Sequence, residues 1–264
     1  MKILVSREDA NYWQKKGALA FRFQFGNESK DGIIIERNGQ HTCFIALGEK
    51  EKPARNDSQA KRGDSGGMTR RKLILLARRV VFEALRKKYT NIVLDFRQFR
   101  FPAIKITDGE LAELLAINFL MASFEFRDFL SKPKEGFPKV NTITLVNASG
   151  KEIQSGIERG IIIGEEVNHA RHIATMPGGN MTPAILAKHT KQSVKGLPIQ
   201  FSVLNETQMA RLKMGGVLAV GQGSQEKSRF IILEYFGAGK PAQGGSASSG
   251  KEKPICPCGQ GRDI

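Results

Sequence analysis

The sequence predicts an α/β fold with a mainly parallel central sheet, and three observations carry that prediction. Short apolar runs bounded by glycines fill the first part of the chain. Amphipathic helical stretches then alternate with apolar strand-like runs, the pattern of layered sheets covered by helices. Finally, several segments carry their own helix-start chemistry, which fixes where strands must end.

From Met1 to about Leu47 the apolar runs are Ile3 to Val5, Ala18 to Phe25, Ile33 to Ile35 and Cys43 to Leu47. Gly26, Gly32 and Asn38-Gly39 separate them, and Asn38-Gly39 is a hairpin signal because both residues accept left-handed backbone. Glu49 to Met68 is rich in Lys, Arg, Asp, Ser and Gly without periodicity, so a surface loop is expected there. Leu73, Leu76, Ala77, Val80, Val81, Ala84 and Leu85 recur at helical spacing. Arg70, Arg71, Arg78, Arg79, Arg86, Lys87 and Lys88 are left mostly on the other faces.

Asn91 to Phe96 reads as a buried strand, and Thr107 with Glu110 forms a capping box. The helix it starts carries Leu111, Leu114, Leu115, Asn118 and Ala122 on one side. Asn141 to Val146 is a further strand. Lys151 to Thr175 reads as one long helix, with Ile153, Ile157, Ile161, Gly164 and Val167 or Asn168 along one stripe. Thr182 caps a helix that begins at Pro183, where a missing amide hydrogen costs nothing. Ile199 to Leu204 is a strand stopped by a second capping box, Asn205 with Gln208. A short helix, a glycine-rich turn and a strand ending at Tyr235 follow. From Gly237 to Gly250 glycine and serine dominate, the composition of a flexible connector.

Composition bounds the function without naming it. The 264 residues are 40% hydrophobic and 25% charged, ordinary for a globular chain, and 41 Lys and Arg against 26 Asp and Glu give +15. Such a surface attracts polyanions. No apolar run approaches the ~20 residues of a membrane span, and the N-terminus lacks a signal-peptide core, so a cytoplasmic protein is expected. Three cysteines, Cys43, Cys256 and Cys258, make no disulfide framework.

Several constellations invite a chemical reading. Glu165, His169 and His172 share helical spacing and could present a carboxylate and imidazoles to a metal, although no fourth ligand lies nearby and solvated or ion-paired histidines are the commoner outcome. Gly245 to Lys251 has the spacing of a phosphate-binding loop, but Glu252 stands where Ser or Thr should follow and Lys253-Pro254 starts no helix. Gly221-Gln222-Gly223-Ser224 is neither a nucleophile elbow nor a dinucleotide loop, since Glu226 occupies the place of the third glycine. Cys256-Pro257-Cys258 offers only half a zinc site.

One resemblance organises these pieces. Val167-Asn168-His169-Ala170-Arg171, Met176-Pro177, Asn180-Met181-Thr182-Pro183, Met209 to Met214, Gly221 to Ser224 and Arg229 to Tyr235 resemble, in order and spacing, the start of the catalytic domain of the leucyl aminopeptidase family. These enzymes are also called cytosol aminopeptidases. The resemblance implies a macro-domain-like N-terminal domain over 1–148, a linker helix over 149–175 and an incomplete catalytic domain over 176–264. It also implies a two-metal peptidase, with manganese or zinc, that removes N-terminal residues from peptides as a homohexamer. The family's ligands, a lysine with several Asp and Glu, and its catalytic lysine and arginine lie beyond the strand that begins near Pro254. This chain is therefore expected to hold no catalytic, cofactor-binding or metal residues and to be an inactive, truncated product.

The ending itself fits that expectation. The codons TGT CCT TGT GGG CAA GGG CGT GAC ATT TGA encode Cys256 to Ile264 and a stop. Without their first base they read Val-Leu-Val-Gly-Lys-Gly-Val-Thr-Phe and the start of Asp, the pattern with which the family continues. On this reading residues 256–264 are a frameshifted tail and Gln260 stands in place of the metal-binding lysine. The rival expectation is a basic, macro-like module that binds nucleic acid or a phosphate ligand through residues such as Arg55, Lys61 and Arg62, with salt-sensitive affinity.

Overall fold

The structure, a computed structural model, describes residues 1–6, 17–24, 32, 34–37, 39–47 and 68–235. The chain divides into two compact units, Met1–Thr175 and Met176–Ile264. Outside the described residues lie Asn38 of the hairpin signal, most of the basic loop with Arg55, Lys61 and Arg62, and everything from Phe236 onward.

The first unit is a six-stranded sheet in the order β1-β6-β5-β2-β4-β3. Its strands are β1 (Lys2–Val5), β2 (Ala18–Gln24), β3 (Ile34–Arg37), β4 (Gln40–Ala46), β5 (Asn91–Asp95) and β6 (Thr142–Val146). Every neighbouring pair is parallel except β3 with β4, which pair antiparallel with Arg37 opposite Gln40. Gly39 closes that hairpin with a φ of 75°. β5 and β6 lie in the interior of the sheet, and four of the five residues in each are buried. Parallel strands covered by helices read as continuous apolar runs for that reason.

Three helices serve this sheet: α1 (Arg70–Arg86), α2 (Asp108–Ala122) and α3 (Lys151–Thr175). The Thr69 hydroxyl accepts from Lys72 N at 3.2 Å and caps the start of α1. The Thr107/Glu110 capping box forms as expected, with Thr107 N donating to Glu110 Oε2 at 2.8 Å. α2 is apolar nearly all round because it packs against both α1 and α3. Its buried Asn118 is satisfied: Nδ2 donates to Leu114 O at 2.8 Å, and Oδ1 accepts from Arg78 Nε at 2.8 Å. Arg78 therefore turns inward, not outward with the other arginines of α1.

α3 lies alongside α2 in parallel, on a seam of three glycines. A Cβ on Gly160 would stand 2.6 Å from Glu113 O and 2.7 Å from the Ala116 Cβ, and one on Gly164 would stand 2.9 Å from Leu120. Gly156 meets the Gly109 carbonyl in the same way. Spacing of four residues stacks all three on one face, so the two backbones approach more closely than side chains would allow. The apolar stripe expected on α3 is present at Ile153, Ile157 and Gly164, and Gly156 and Gly160 complete it.

The second unit, as far as Tyr235, contains α4 (Pro183–Ser193), β7 (Ile199–Leu204), α5 (Glu206–Arg211), α6 (Gly215–Gly221) and β8 (Phe230–Tyr235). β7 and β8 pair antiparallel, with Ile199 opposite Tyr235 and Leu204 opposite Phe230. One element differs from the sequence reading: a helix, α6, stands where the glycine-rich turn begins, and the turn is confined to 222–224. Gly215 and Gly216 open this helix at its first turn, where glycine is tolerated, and Val217 to Val220 continue it. Ala187 and Met209 are the buried apolar side chains among the unit's described residues.

Candidate functional site

The segment that carries the motif residues is the C-terminal half of α3. Its neighbour is the end of α2, where Ser123 N and Oγ donate to Leu120 O and the last-turn carbonyls have no i+4 amide within the helix. Asn168 Nδ2 donates to Leu120 O at 2.8 Å, and Arg171 Nη1 donates to Met121 O at 2.9 Å and to Asn168 Oδ1 at 3.1 Å. The Arg171 guanidinium also stands 4.4 Å from the centre of the Phe124 ring. A cation at a helix C-terminus is electrostatically favourable, so Asn168 and Arg171 act together as a remote cap on α2. Through Asn168 and Arg171 the motif Val167 to Arg171 thus holds the C-terminal half of α3 to the end of α2.

The three candidate metal ligands do not gather. His172 Nε2 lies 2.8 Å from Asp128 Oδ2, with the Phe126 ring 5.3 Å away. His169 Nδ1 lies 3.7 Å from Glu166 Oε2, and Glu165 is exposed. Each histidine has turned to a different carboxylate, one from the loop after α2 and one from its own helix. Among the described residues no group of three His, Cys, Asp or Glu converges as a metal would need. The described residues therefore do not fit a two-metal centre.

Two polar clusters were not singled out in the sequence. Asp95, 5% exposed, ends β5. Its Oδ1 accepts from Arg97 N at 2.9 Å and its Oδ2 from Arg97 Nη2 at 2.8 Å, which caps the short 3-10 helix Phe96–Phe99. Burial pushes the Asp95 carboxyl up, but the hydrogen bonds and charge of Arg97 outweigh it and hold the group below its ordinary value. The other cluster joins His41 to Tyr89, ring nitrogen to phenol, with Glu36 Oε2 at 3.4 Å from His41 Nε2. A carboxylate closing an apolar strand was the sequence signal for the first. The second joins residues 48 apart and left none.

In the second unit the motif residues again position backbone. Thr182 Oγ1 accepts from Ile185 N at 3.3 Å. Asn205 and Gln208 form a reciprocal box, at 2.9 Å and 3.0 Å. Ser228 N then donates to Glu206 Oε1 at 2.9 Å, tying the entry of β8 to the start of α5. Gly221 lies against the Ser228 side chain, leaving no room for a Cβ. The Gly245–Lys251 loop, Cys256, Cys258 and the tail with Gln260 lie outside the described residues. Among the described residues no helix is long and apolar enough to cross a membrane.

Comparison with known proteins agrees with this scaffold. The profile described as "Cytosol aminopeptidase family, catalytic domain" matches residues 168–251. A probable cytosol aminopeptidase of Bacillus subtilis is 32% identical over 161 residues, covering 60% of this chain and 31% of the relative. Its counterpart from Roseiflexus castenholzii is 28% identical over 225 residues, covering 74% of this chain and 46% of the relative. The chain thus spans about a third to a half of the length of these curated relatives. Among solved structures, a tomato leucine aminopeptidase mutant superposes with a TM-score of 0.69 at 19% identity, covering 88% of this chain and 50% of that one. The bottromycin maturation enzyme BotP, solved in complex with Mn, gives 0.60 at 16% identity, covering 82% and 45%. These two likenesses establish the fold, a mixed α/β architecture with a mostly parallel sheet. Motif order, profile and relatives agree: residues 168–251 are similar to the catalytic domain of the cytosol aminopeptidase family.

Proposed function

We propose that this chain supplies the scaffold of a metalloaminopeptidase that removes N-terminal residues from peptides, and that the metal ligands and catalytic groups lie outside residues 1–235. The observation that carries the proposal is the match of the catalytic-domain profile over 168–251 to a segment whose described residues assemble no ligand cluster. In the complete enzyme two divalent ions, manganese or zinc, would activate water and polarise the scissile carbonyl. BotP bound to Mn supports that metal class.

This chain's own residues have positioning roles. α3 precedes the unit that begins at Met176, and Asn168 and Arg171 hold its C-terminal half on the end of α2. The Thr182 and Asn205 caps set the starts of α4 and α5, and with them the β7–β8 pair. On this reading the protein works in the cytoplasm as a homohexamer on peptide substrates, and residues 256–264 are a frameshifted tail. The test is to sequence the gene through the codons for Lys253 to Ile264 and downstream. A surplus base, followed by a frame encoding Asp and further acidic ligands, is expected. An unbroken stop with no such frame downstream overturns the frameshift reading.

A further inference from the structure

The loop that follows α2 closes on itself. Arg127 forms its neck: Nη2 donates to Pro138 O at 2.9 Å, Nε and Nη2 donate to Glu125 Oε2 at 2.9 Å and 2.6 Å, and the guanidinium stands 4.6 Å from the centre of the Phe137 ring. Beyond the neck, Leu130 N donates to Arg127 O at 3.0 Å and Gly136 N to Pro133 O at 2.9 Å, which makes two turns. A segment whose ends meet in this way is an Ω-loop, a compact surface feature that presents its tip. Both flanks are braced. Asp128 Oδ2 lies 2.8 Å from His172 Nε2 on α3, and Glu135 Oε2 lies 3.4 Å from Lys88 Nζ at the end of α1.

At the tip the adjacent Phe129 and Leu130 are 57% and 54% exposed, with the Phe126 ring centred 5.9 Å from that of Phe129. Single exposed apolar residues need no explanation, but two in a row on a braced loop form a presented apolar point. Its electrostatic setting is one-sided. The acidic side chains between residues 125 and 139 are Glu125, Asp128 and Glu135, and each already meets a basic group: Arg127, His172 and Lys88. Lys132, Lys134 and Lys139 are exposed, and no carboxylate of the loop remains for them.

We propose that this Ω-loop anchors the protein on an anionic lipid surface. Phe129 and Leu130 enter the boundary between headgroups and acyl chains, while Lys132, Lys134 and Lys139 keep their ammonium groups among the lipid phosphates. A nucleic acid would engage the lysines and could stack a base on Phe129, but it has no use for an exposed leucine beside it. Hydrocarbon takes both side chains. One loop supplies the whole contact, so binding is reversible and weakens as salt screens the lysines.

The test uses the full chain and co-sedimentation with vesicles of phosphatidylcholine alone or mixed with phosphatidylserine. Wild type pellets with the mixed vesicles, less so as salt rises, and stays in solution with phosphatidylcholine alone. Each lysine near an anionic surface is worth about fivefold in affinity, so Lys132→Gln with Lys134→Gln should weaken binding by roughly twentyfold. Phe129→Ser with Leu130→Ser, which leaves every charge in place, should weaken it by at least about tenfold. Lys191→Gln with Lys195→Gln, on and just after α4, removes the same charge elsewhere and should leave binding within about twofold of wild type, since neither lysine lies in the loop. Circular dichroism shows that each variant keeps the native fold. Wild type that ignores the mixed vesicles overturns the proposal. So does equal weakening by the two lysine pairs, which would make binding a matter of net charge alone, or a Phe129/Leu130 variant that binds as wild type does. Binding to a single-stranded oligonucleotide that both loop variants lose, with no binding to vesicles, would assign the loop to nucleic acid and equally overturn it.

Discussion

Gly160→Ala probes the middle of the glycine seam between α2 and α3. The added methyl would stand 2.6 Å from Glu113 O and 2.7 Å from the Ala116 Cβ. A carbon–oxygen contact shorter than about 3.3 Å is strongly repulsive, so the shortfall at the carbonyl is about 0.7 Å. That oxygen belongs to backbone in the middle of α2 and cannot rotate away, so α3 must move along its whole seam, which loosens Gly156 and Gly164 as well. Overpacking of this kind costs up to about 3 kcal/mol. Alanine returns about 1 kcal/mol of helix propensity, leaving a net loss of about 2 kcal/mol. For a chain of this size the melting temperature should fall by roughly 4–8 °C. The assay is thermal unfolding followed by circular dichroism, with Ser155→Ala on the exposed side of the same helix as control, expected within about 0.5 kcal/mol of wild type. If Gly160→Ala melts higher than wild type, as an open helical site would, α2 and α3 are not packed backbone to backbone and the account of the first unit is wrong.

Other perturbations follow from the same geometry. Arg171→Ala removes the bond to Met121 O and the stacking on Phe124, and should destabilise the first unit by about 1–2 kcal/mol in urea. Lys at 171 should recover only part of this, because an ammonium cannot both stack and fork. Thr182→Ala should cost about 1 kcal/mol, and Thr182→Ser almost nothing, since only the hydroxyl acceptor is needed. Asp95→Asn tests a pH dependence. The carboxyl is held below its ordinary value of 3.8, so its stabilisation is complete above that value and is lost as pH falls through the lower folded one. The variant should therefore be less stable than wild type near neutrality, and the gap should close in acid. A gap independent of pH would mean that Arg97 does not stabilise the charged form.

Much of this architecture was legible in the residues. Thr107 with Glu110, Thr182 before Pro183 and Asn205 with Gln208 each specify a helix start by local chemistry alone, and each forms its bonds. The apolar runs located β1 to β4 because strand-length runs bounded by glycine have few alternatives. α6 escaped, since two consecutive glycines argue locally for a turn and only the apolar run behind them favours a helix. The glycine seam of α3 was half visible: Gly164 fell on the predicted stripe, while Gly156 and Gly160 gain their role only from the α2 backbone that lies against them. At the motif, helical spacing put Glu165, His169 and His172 on one side but could not show that Asp128 claims His172. Asn168 and Arg171 stood in the same motif, yet their role depends on carbonyls some 50 residues away.

If the described residues are an aminopeptidase scaffold without its metal centre, manganese titration shows it most directly. Mn²⁺ is added to the purified full chain while the electron paramagnetic resonance signal of the free ion is followed, alongside hydrolysis of a leucine anilide. The expected result is a free-ion signal that grows in proportion to added metal, with no anilide cleaved above the blank. Stoichiometric loss of the signal together with metal-dependent cleavage would place a working centre within these 264 residues and contradict it.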